Sequence, residues 1–347
     1  MNQSSCVHLV GSVPLVDARQ VFCKVNQLVG PHVVRIPDGE TGPRSEWIRW
    51  QMAVMESTAF LERKTVKVRG LYGESNERSV FAPRKNVAEA NWKFGTLGYA
   101  KAAIASFGIF AELKEAGDIR PGTRFQVALP TPLAPITSYV DPAHFFGVEA
   151  IYHEQMLAEV NEILSAIPND QLSIQWDTAV EFAILEEVLP SPLSGRMIDI
   201  VNRLIRLGNQ IPAGVELGYH FCYGDSGHKH FKEPDNSSLL VEVANGVSAG
   251  VGRQLDWLHF PVPASRDDET YFESLGLLRL PAETAVYLGL IHMRDGQAGA
   301  KRRIKAASKF ISRFGIAAEC GFGRRPMDVI EKILQLHAEV AKGLTFQ

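Results

Sequence analysis

A (β/α)8 TIM barrel is the fold this 347-residue sequence predicts, and three observations predict it. Eight short β-rich runs recur along the chain, amphipathic helical stretches lie between them, and from residue 171 onward the runs start about 30 to 45 residues apart, the length of a strand plus a crossover helix. The runs are near-continuously apolar, as strands of a parallel sheet covered on both faces must be. A doubly wound sheet is the rival, but the turn after the first run reads LVGSVPLVD and lacks the G-x-G-x-x-G of a phosphate-binding turn.

The first run is 6–12 (CVHLVGS), followed by apolar positions at helical spacing in VDARQVFCKVNQLV, where Cys23, like Cys6, reads as a small buried hydrophobe. The second run is 33–40 (VVRIPDGE). Residues 41–123 are too long for one βα connection and read as an insertion after the second strand, covering a barrel mouth, with a helix over 43–55, a hairpin over 65–81 around LYGES and a helix over 92–108. The remaining runs are 124–130 (RFQVALP), 171–178 (QLSIQWDT), 215–223 (VELGYHFCY), 254–262 (QLDWLHFPV), 285–293 (AVYLGLIHM) and 316–323 (IAAECGFG). Amphipathic periodicity predicts helices over 147–167, 195–207, 237–249, 300–314 and 326–341, the last opened by Pro326. With no internal repeat or interdomain linker, residues 1–347 read as a single domain.

Composition narrows the function. The chain is 46% hydrophobic and 22% charged, with 36 basic against 39 acidic residues and a net charge of -3, which excludes disorder and a nucleic-acid tail. No apolar run reaches the roughly 18 residues of a membrane span, and MNQSSCVHLVGS lacks the pattern of a secretory signal, so a soluble cytoplasmic protein is expected. Four cysteines are too few for a disulfide framework and read as reduced thiols.

Chemistry in such a barrel gathers where strands end, because the βα loops converge on one rim. Here those ends carry Gly11 and Ser12, then Asp38 and Glu40, then Gln175 and Asp177, then His220, Cys222 and Asp225, then His259, then His292 and Asp295, and finally Glu319 and Cys320. His220 and Cys222 are two apart in an extended run, so both point to one face and can share a metal ion, and Cys320 on the last strand's end closes the site. One imidazole and two thiolates suit Zn2+ and leave a fourth position for water or substrate; the competing reading is a buried His and two packed cysteines.

At these residues the chain resembles the cobalamin-independent methionine synthase family, in its C-terminal catalytic barrel and short single-barrel relatives. The matching segments are LVGSVP, PDGE, IQWDT, HFCYG and ECGFG, in the family's order and spread over most of the chain. The resemblance implies a zinc enzyme that activates the homocysteine thiol for methyl transfer from a folate, in methionine biosynthesis. It implies His220, Cys222 and Cys320 as zinc ligands, and Ser12, Glu40 and Asp177 as the residues that hold the amino acid end of the substrate. It also implies His292, in LIHMRDG, as a proton-transfer residue. The family's glutamate ligand would fall at Pro261, which cannot coordinate; His259, two residues earlier on the same strand face, is either the substitute ligand or a plain exposed or packed histidine, and where it does not reach, water or a substrate sulfur completes the tetrahedron. Trp176 and Thr178 stand where the family has Ile and Glu, and VALPTPLAP lacks the family's tryptophan beside the folate, so the donor is a methylfolate or a smaller methyl compound. Arg35, Arg44 and Arg49 face either an anionic donor or solvent. DSGHKHFKEP reads as a second metal tract through His228 and His230 or as solvated loop.

The expected partners are a small-molecule thiol and a methyl donor, with neither nucleic acid nor membrane; the oligomeric state stays open. A zinc-dependent C-S lyase on the same barrel is the alternative enzyme, and a non-catalytic amino-acid or metal-binding protein the alternative class.

Overall fold

The alternation of apolar strands and amphipathic helices resolves in space into one parallel sheet with helices packed around it. A computed structural model describes residues 6–69, 75–227 and 229–344. In chain order the elements are α1 (Ala18–Val29), β1 (Arg35–Pro37), α2 (Gln51–Ser57), β2 (Leu61–Arg69), β3 (Ser75–Pro83), α3 (Tyr99–Glu115), β4 (Arg124–Pro130), α4 (Leu133–Tyr139), α5 (Phe145–Ala166), β5 (Leu172–Thr178), α6 (Val180–Leu185), α7 (Met197–Asn209), β6 (Glu216–Phe221), α8 (Ser238–Gly250), β7 (Trp257–Pro261), α9 (Glu269–Phe272), β8 (Ala285–Ile291), α10 (Gly296–Ala307), β9 (Gly315–Ala318) and α11 (Ile330–Lys342).

Seven of the eight expected runs contribute a strand to the same sheet, in the order β1-β4-β5-β6-β7-β8-β9, every neighbour parallel. The eighth run differs. Residues 6–12 form no ladder and hold only isolated parallel bridges, Val7 to Ile316 of β9 and Ser12 to Gly39 just beyond β1. One segment therefore touches both edges, which requires the sheet to curl, and a short stave is all it needs because β1 and β9 are themselves only three and four residues long. The apolar side chains of the strands and of the inward helix faces form one main core, with Trp257, Ala285 and Tyr287 of β7 and β8 as a small separate cluster. No helix among the described residues is long and apolar enough to cross a membrane.

Residues 41–123 contain a 3-10 turn over Gly42–Glu46, then α2, then the antiparallel pair β2 and β3 in register from Leu61↔Pro83 onward, then α3. The turn expected around LYGES falls on residues 70–74, outside the described residues. Aromatic contacts anchor this segment: Phe60 stacks on Trp92 at 5.4 Å and Phe94 meets Tyr152 of α5 edge-on at 5.1 Å.

The helix expected over 92–108 instead runs from Tyr99 to Glu115, and its start is set from a distance. The buried carboxylate of Glu159, on α5, accepts hydrogen bonds from the Thr96 hydroxyl at 2.8 Å and from the backbone N-H groups of Leu97 at 2.7 Å, Gly98 at 3.2 Å and Ala100 at 2.6 Å. These donors are the ones a helix N-terminus leaves without partners, and the local sequence offers no side-chain cap. Glu159→Gln is expected to lower stability by about 1 to 2 kcal/mol, since the amide keeps the shape but loses the charge-assisted bonds; urea unfolding with no change of midpoint would show that the cap is dispensable.

Two smaller expectations also change. Cys23 lies on the exposed face of α1, because the buried stripe is Ala18, Val21, Phe22, Val25 and Val29, whereas Cys6 is buried as expected. The helix expected over 300–314 is displaced to Gly296–Ala307, since residues 308–314 make the return into β9.

Candidate metal centre and adjoining cavity

β6 ends at Phe221, so His220 is its penultimate residue and Cys222 follows it directly; Cys320 lies two residues beyond β9, across the mouth of the curled sheet. The Nε2 of His220 and the two sulfurs converge, all three ligand atoms lying within 4.8 Å of one another. The sulfurs are 3.6 Å apart and Cys320 Sγ is 3.8 Å from His220 Nε2. A tetrahedral zinc at about 2.3 Å from sulfur and about 2.0 Å from nitrogen separates two sulfurs by about 3.8 Å and a sulfur from a nitrogen by about 3.5 Å. The donor set and its spacing therefore fit a zinc ion. The Cys320 thiol and the Gly224 N-H at 3.2 Å stabilise a thiolate at Cys222 and lower its pKa against its burial, while the neighbouring thiolate and burial push Cys320 up.

A cavity of about 650 Å³ opens beside this trio, and Ser12, Glu40, Asp177, His220, Cys222 and Cys320 all line it. That volume suits a small-molecule ligand. Glu40 reaches it through a sharp turn: Gly39 and Glu40 have φ of 81° and 50°, in the left-handed region, and the Glu40 N-H is tied to Asp38 Oδ1 at 2.9 Å. A Cβ on Gly39 would lie 2.6 Å from Val21 Cγ2, so the turn admits glycine alone. Asp38 has a supporting role here, held by Arg44 at 2.6 Å and the Ser106 hydroxyl at 2.8 Å. Gly11 leaves room for the Glu40 carboxylate; a Cβ there would meet Glu40 Oε1 at 2.5 Å.

Asp177 is 7% exposed and its Oδ1 accepts from Gln175 Nε2 at 2.9 Å. The same Gln175 amide donates to the Val10 carbonyl at 2.6 Å, and its Oε1 faces His8 Nε2 at 2.8 Å, so a buried polar network sets the Asp177 carboxylate from below. Burial pushes the Glu40 carboxyl up to about 7 despite Arg44; burial and the nearby Glu40 charge raise Asp177 as well. Two carboxyl groups with raised pKa values thus face one cavity. The Ser12 hydroxyl accepts from the Gly323 N-H at 3.1 Å, which joins the first segment to the loop after β9.

Two sequence-predicted residues do not reach the cavity. His259 does not join the trio: it stands behind His220 with both ring nitrogens engaged, Nδ1 with His220 Nδ1 at 2.7 Å and Nε2 with the Ala318 carbonyl at 2.9 Å. The register explains this, since His220 and His259 are partners in the parallel β6-β7 ladder and their side chains lie side by side. His292 is 3% exposed and donates from Nε2 to the carbonyls of Val262 at 2.9 Å and Gly289 at 3.1 Å. Burial and the Arg303 charge hold it down at about 3, and its Nδ1 faces Glu319 at 3.8 Å. It lines no wall of the cavity.

Of the three arginines, Arg35 pairs with Glu216 at 3.1 Å and lies 3.9 Å over Trp257 at the opposite end of the strands, and Arg44 is bound to Asp38; Arg49 alone lines the cavity, beside Glu46. His230 packs against Glu233 at 3.3 Å and Glu319 at 3.5 Å rather than facing solvent, and among the described residues it joins no metal group; His228 lies outside the described residues.

Residues from 41–123 supply walls that no motif announced, among them Trp47, Met52 and Arg78. The length of the segment was the only signal for them, as it lacks any spacing that names a chemistry.

No family model matches the chain, and no curated protein matches it significantly. Solved structures do. A B12-independent methionine synthase from Shewanella sp. W3-18-1, in complex with selenomethionine, superposes with a TM-score of 0.62 at 16% identity over 98% of this chain and 97% of that one. A methyltransferase from Methanosarcina mazei superposes with a TM-score of 0.56 at 12% identity over 97% of this chain and 94% of the other. At these identities the likeness establishes a shared α/β fold along the whole chain.

Proposed function

We propose that this chain is a zinc-dependent enzyme that activates a substrate thiol and methylates it, with a homocysteine-like acceptor and a methylfolate or smaller methyl donor. The observation that carries the reading is the placement of His220, Cys222 and Cys320 at tetrahedral separations beside a cavity that also exposes Glu40 and Asp177. The names of the two structural neighbours, a methionine synthase and a methyltransferase, support the class of reaction. In this reading residues 6–12 close an eight-stave barrel and residues 41–123 cover its mouth. Unbridged thiols in the trio favour a reducing, cytoplasmic setting.

When bound, the cation stabilises the substrate thiol as its thiolate at neutral pH. The chain's own residues do the rest. Glu40 and Asp177 take the substrate ammonium between them, and that positive charge draws both carboxyls into their ionised form. Ser12 and the backbone beside it address the substrate carboxylate. His292, neutral and one layer behind Glu319, holds the loop after β8 through its two carbonyl contacts; a role in moving a proton runs through Glu319 in this reading. Arg49 and Arg78 also line the cavity, suited to a donor that carries negative charge.

A zinc-dependent C-S lyase is the second reading, and a specific observation favours it. Among the described residues the trio includes no carboxylate, and Pro261 stands where one was expected, so the site carries one negative charge fewer. A thiolate held by a more positive cation is stabilised but less nucleophilic, which suits an electrophilic donor or a lyase better than an unactivated methylfolate. The expected result is slow homocysteine methylation with methyltetrahydrofolate and faster methylation with activated methyl donors, the gap narrowing in Pro261→Glu. Absence of methylation with every donor, alongside thiol release from a thioether, would transfer the assignment to the lyase.

A further inference from the structure

The partner of His220 is itself a histidine, and the two rings constrain each other. His259 is fully buried on β7, 0% exposed, and its ring nitrogens meet only a backbone carbonyl and another imidazole. No carboxylate balances a charge there, so the ring is neutral and carries a single proton. A carbonyl can only accept. The 2.9 Å contact with Ala318 O therefore places that proton on His259 Nε2 and leaves Nδ1 bare. That bare nitrogen is 2.7 Å from His220 Nδ1, so His220 must donate from Nδ1. Had His220 carried its proton on Nε2, two lone pairs would face each other at that distance, with a buried hydrogen bond lost. The remaining nitrogen of His220, Nε2, is the one directed at the sulfurs, 3.8 Å from Cys320.

We propose that His259 is a positioning residue for the metal site: its hydrogen bond fixes the tautomer and ring orientation of His220, so that Nε2 presents a lone pair to a divalent cation held with Cys222 and Cys320. The chain of bonds begins at Ala318, two residues before Cys320, and ends on β6, so it also sets one ligand-bearing strand against the other. His259 then supports the ligand from outside the coordination sphere, leaving three protein ligands and a fourth position for substrate. The inference rests on the metal reading above and adds to it the identity of the group that prepares the ligand.

The test uses the full-length protein. With 15N-histidine labelling, long-range nitrogen-proton correlation on the metal-free protein is expected to show His259 protonated at Nε2 and His220 at Nδ1, assigned with single-histidine variants; the opposite tautomer at His220 overturns the proposal. In competition with a chromophoric chelator, His259→Phe is expected to bind zinc 10 to 100-fold more weakly than the parent. His259→Gln, whose amide can accept from His220 and donate to Ala318, should recover most of that loss. The visible spectrum of the cobalt-substituted protein should shift in His259→Phe and return toward the parent in His259→Gln. Equal zinc affinity for parent and His259→Phe overturns the positioning role alone, whereas a parent that takes up no zinc overturns the metal reading together with it. If His259→Phe does not fold, judged by circular dichroism, the tautomers of the parent decide.

Discussion

Protein purified without chelator is expected to carry one equivalent of zinc, and the double variant Cys222→Ser, Cys320→Ser to carry none. Two of the three protein ligand atoms are sulfurs, and the serine hydroxyls that replace them do not ionise in the accessible pH range. What remains is His220 alone, which cannot retain the ion through purification, so the expected loss of affinity is at least a thousandfold. The fold should survive. An α/β fold of this size has a large apolar core of its own, unlike a zinc finger that unfolds without metal, so far-UV circular dichroism should be unchanged and the thermal midpoint only modestly shifted. Elemental analysis reads the result directly, and full zinc retention by the double variant would refute the site.

The second large effect is expected at the acid pair. If Glu40 and Asp177 grip an ammonium, Glu40→Gln and Asp177→Asn should each weaken binding of a homocysteine-like thiol by about 1 to 3 kcal/mol, the scale of a charged hydrogen bond. Simple alkyl thiols, which lack the amine, should be nearly unaffected. A pH dependence accompanies this. The Glu40 carboxyl sits at about 7 in the free protein because burial disfavours its charge. An ammonium reverses that preference, so below about pH 7 binding should release protons, and affinity should rise as pH increases through that value. Calorimetry in buffers of different ionisation enthalpy measures the release. Equal losses for both kinds of thiol, with no proton released, would mean that the two carboxyls serve only the fold.

The same shift bears on stability with the opposite consequence. A carboxyl whose folded pKa is raised binds more protons folded than unfolded between about pH 4.5 and 7, so Glu40 and Glu181, both near 7, disfavour the free protein as pH rises through that window. An amine ligand should therefore raise the thermal midpoint more at pH 7.5 than at pH 5.5.

Much of this protein was legible along the chain because its determinants are local. Strand runs such as LSIQWDT and ELGYHF alternate apolar with polar or small residues, and their spacing with helical stretches between them marks them as strands of βα units without reference to the rest of the molecule. The period of two along an extended chain likewise put His220 and Cys222 on one face, and the end of the last strand put Cys320 within reach.

What the chain could not disclose depends on contacts between residues far apart in it. The start of α3 is set by Glu159, more than fifty residues downstream, so no local cap marks it. Whether residues 6–12 form a full strand depended on the lengths of β1 and β9, which only their neighbours determine. The place of His259 was decided by the β6-β7 register: side-by-side pairing with His220 turns an eligible ligand into a hydrogen-bond partner of one, and a one-residue slip would have turned it away altogether. Residue type and spacing determine which groups are eligible for a site; the register between strands, a property of the assembled sheet, determines which of their atoms face it.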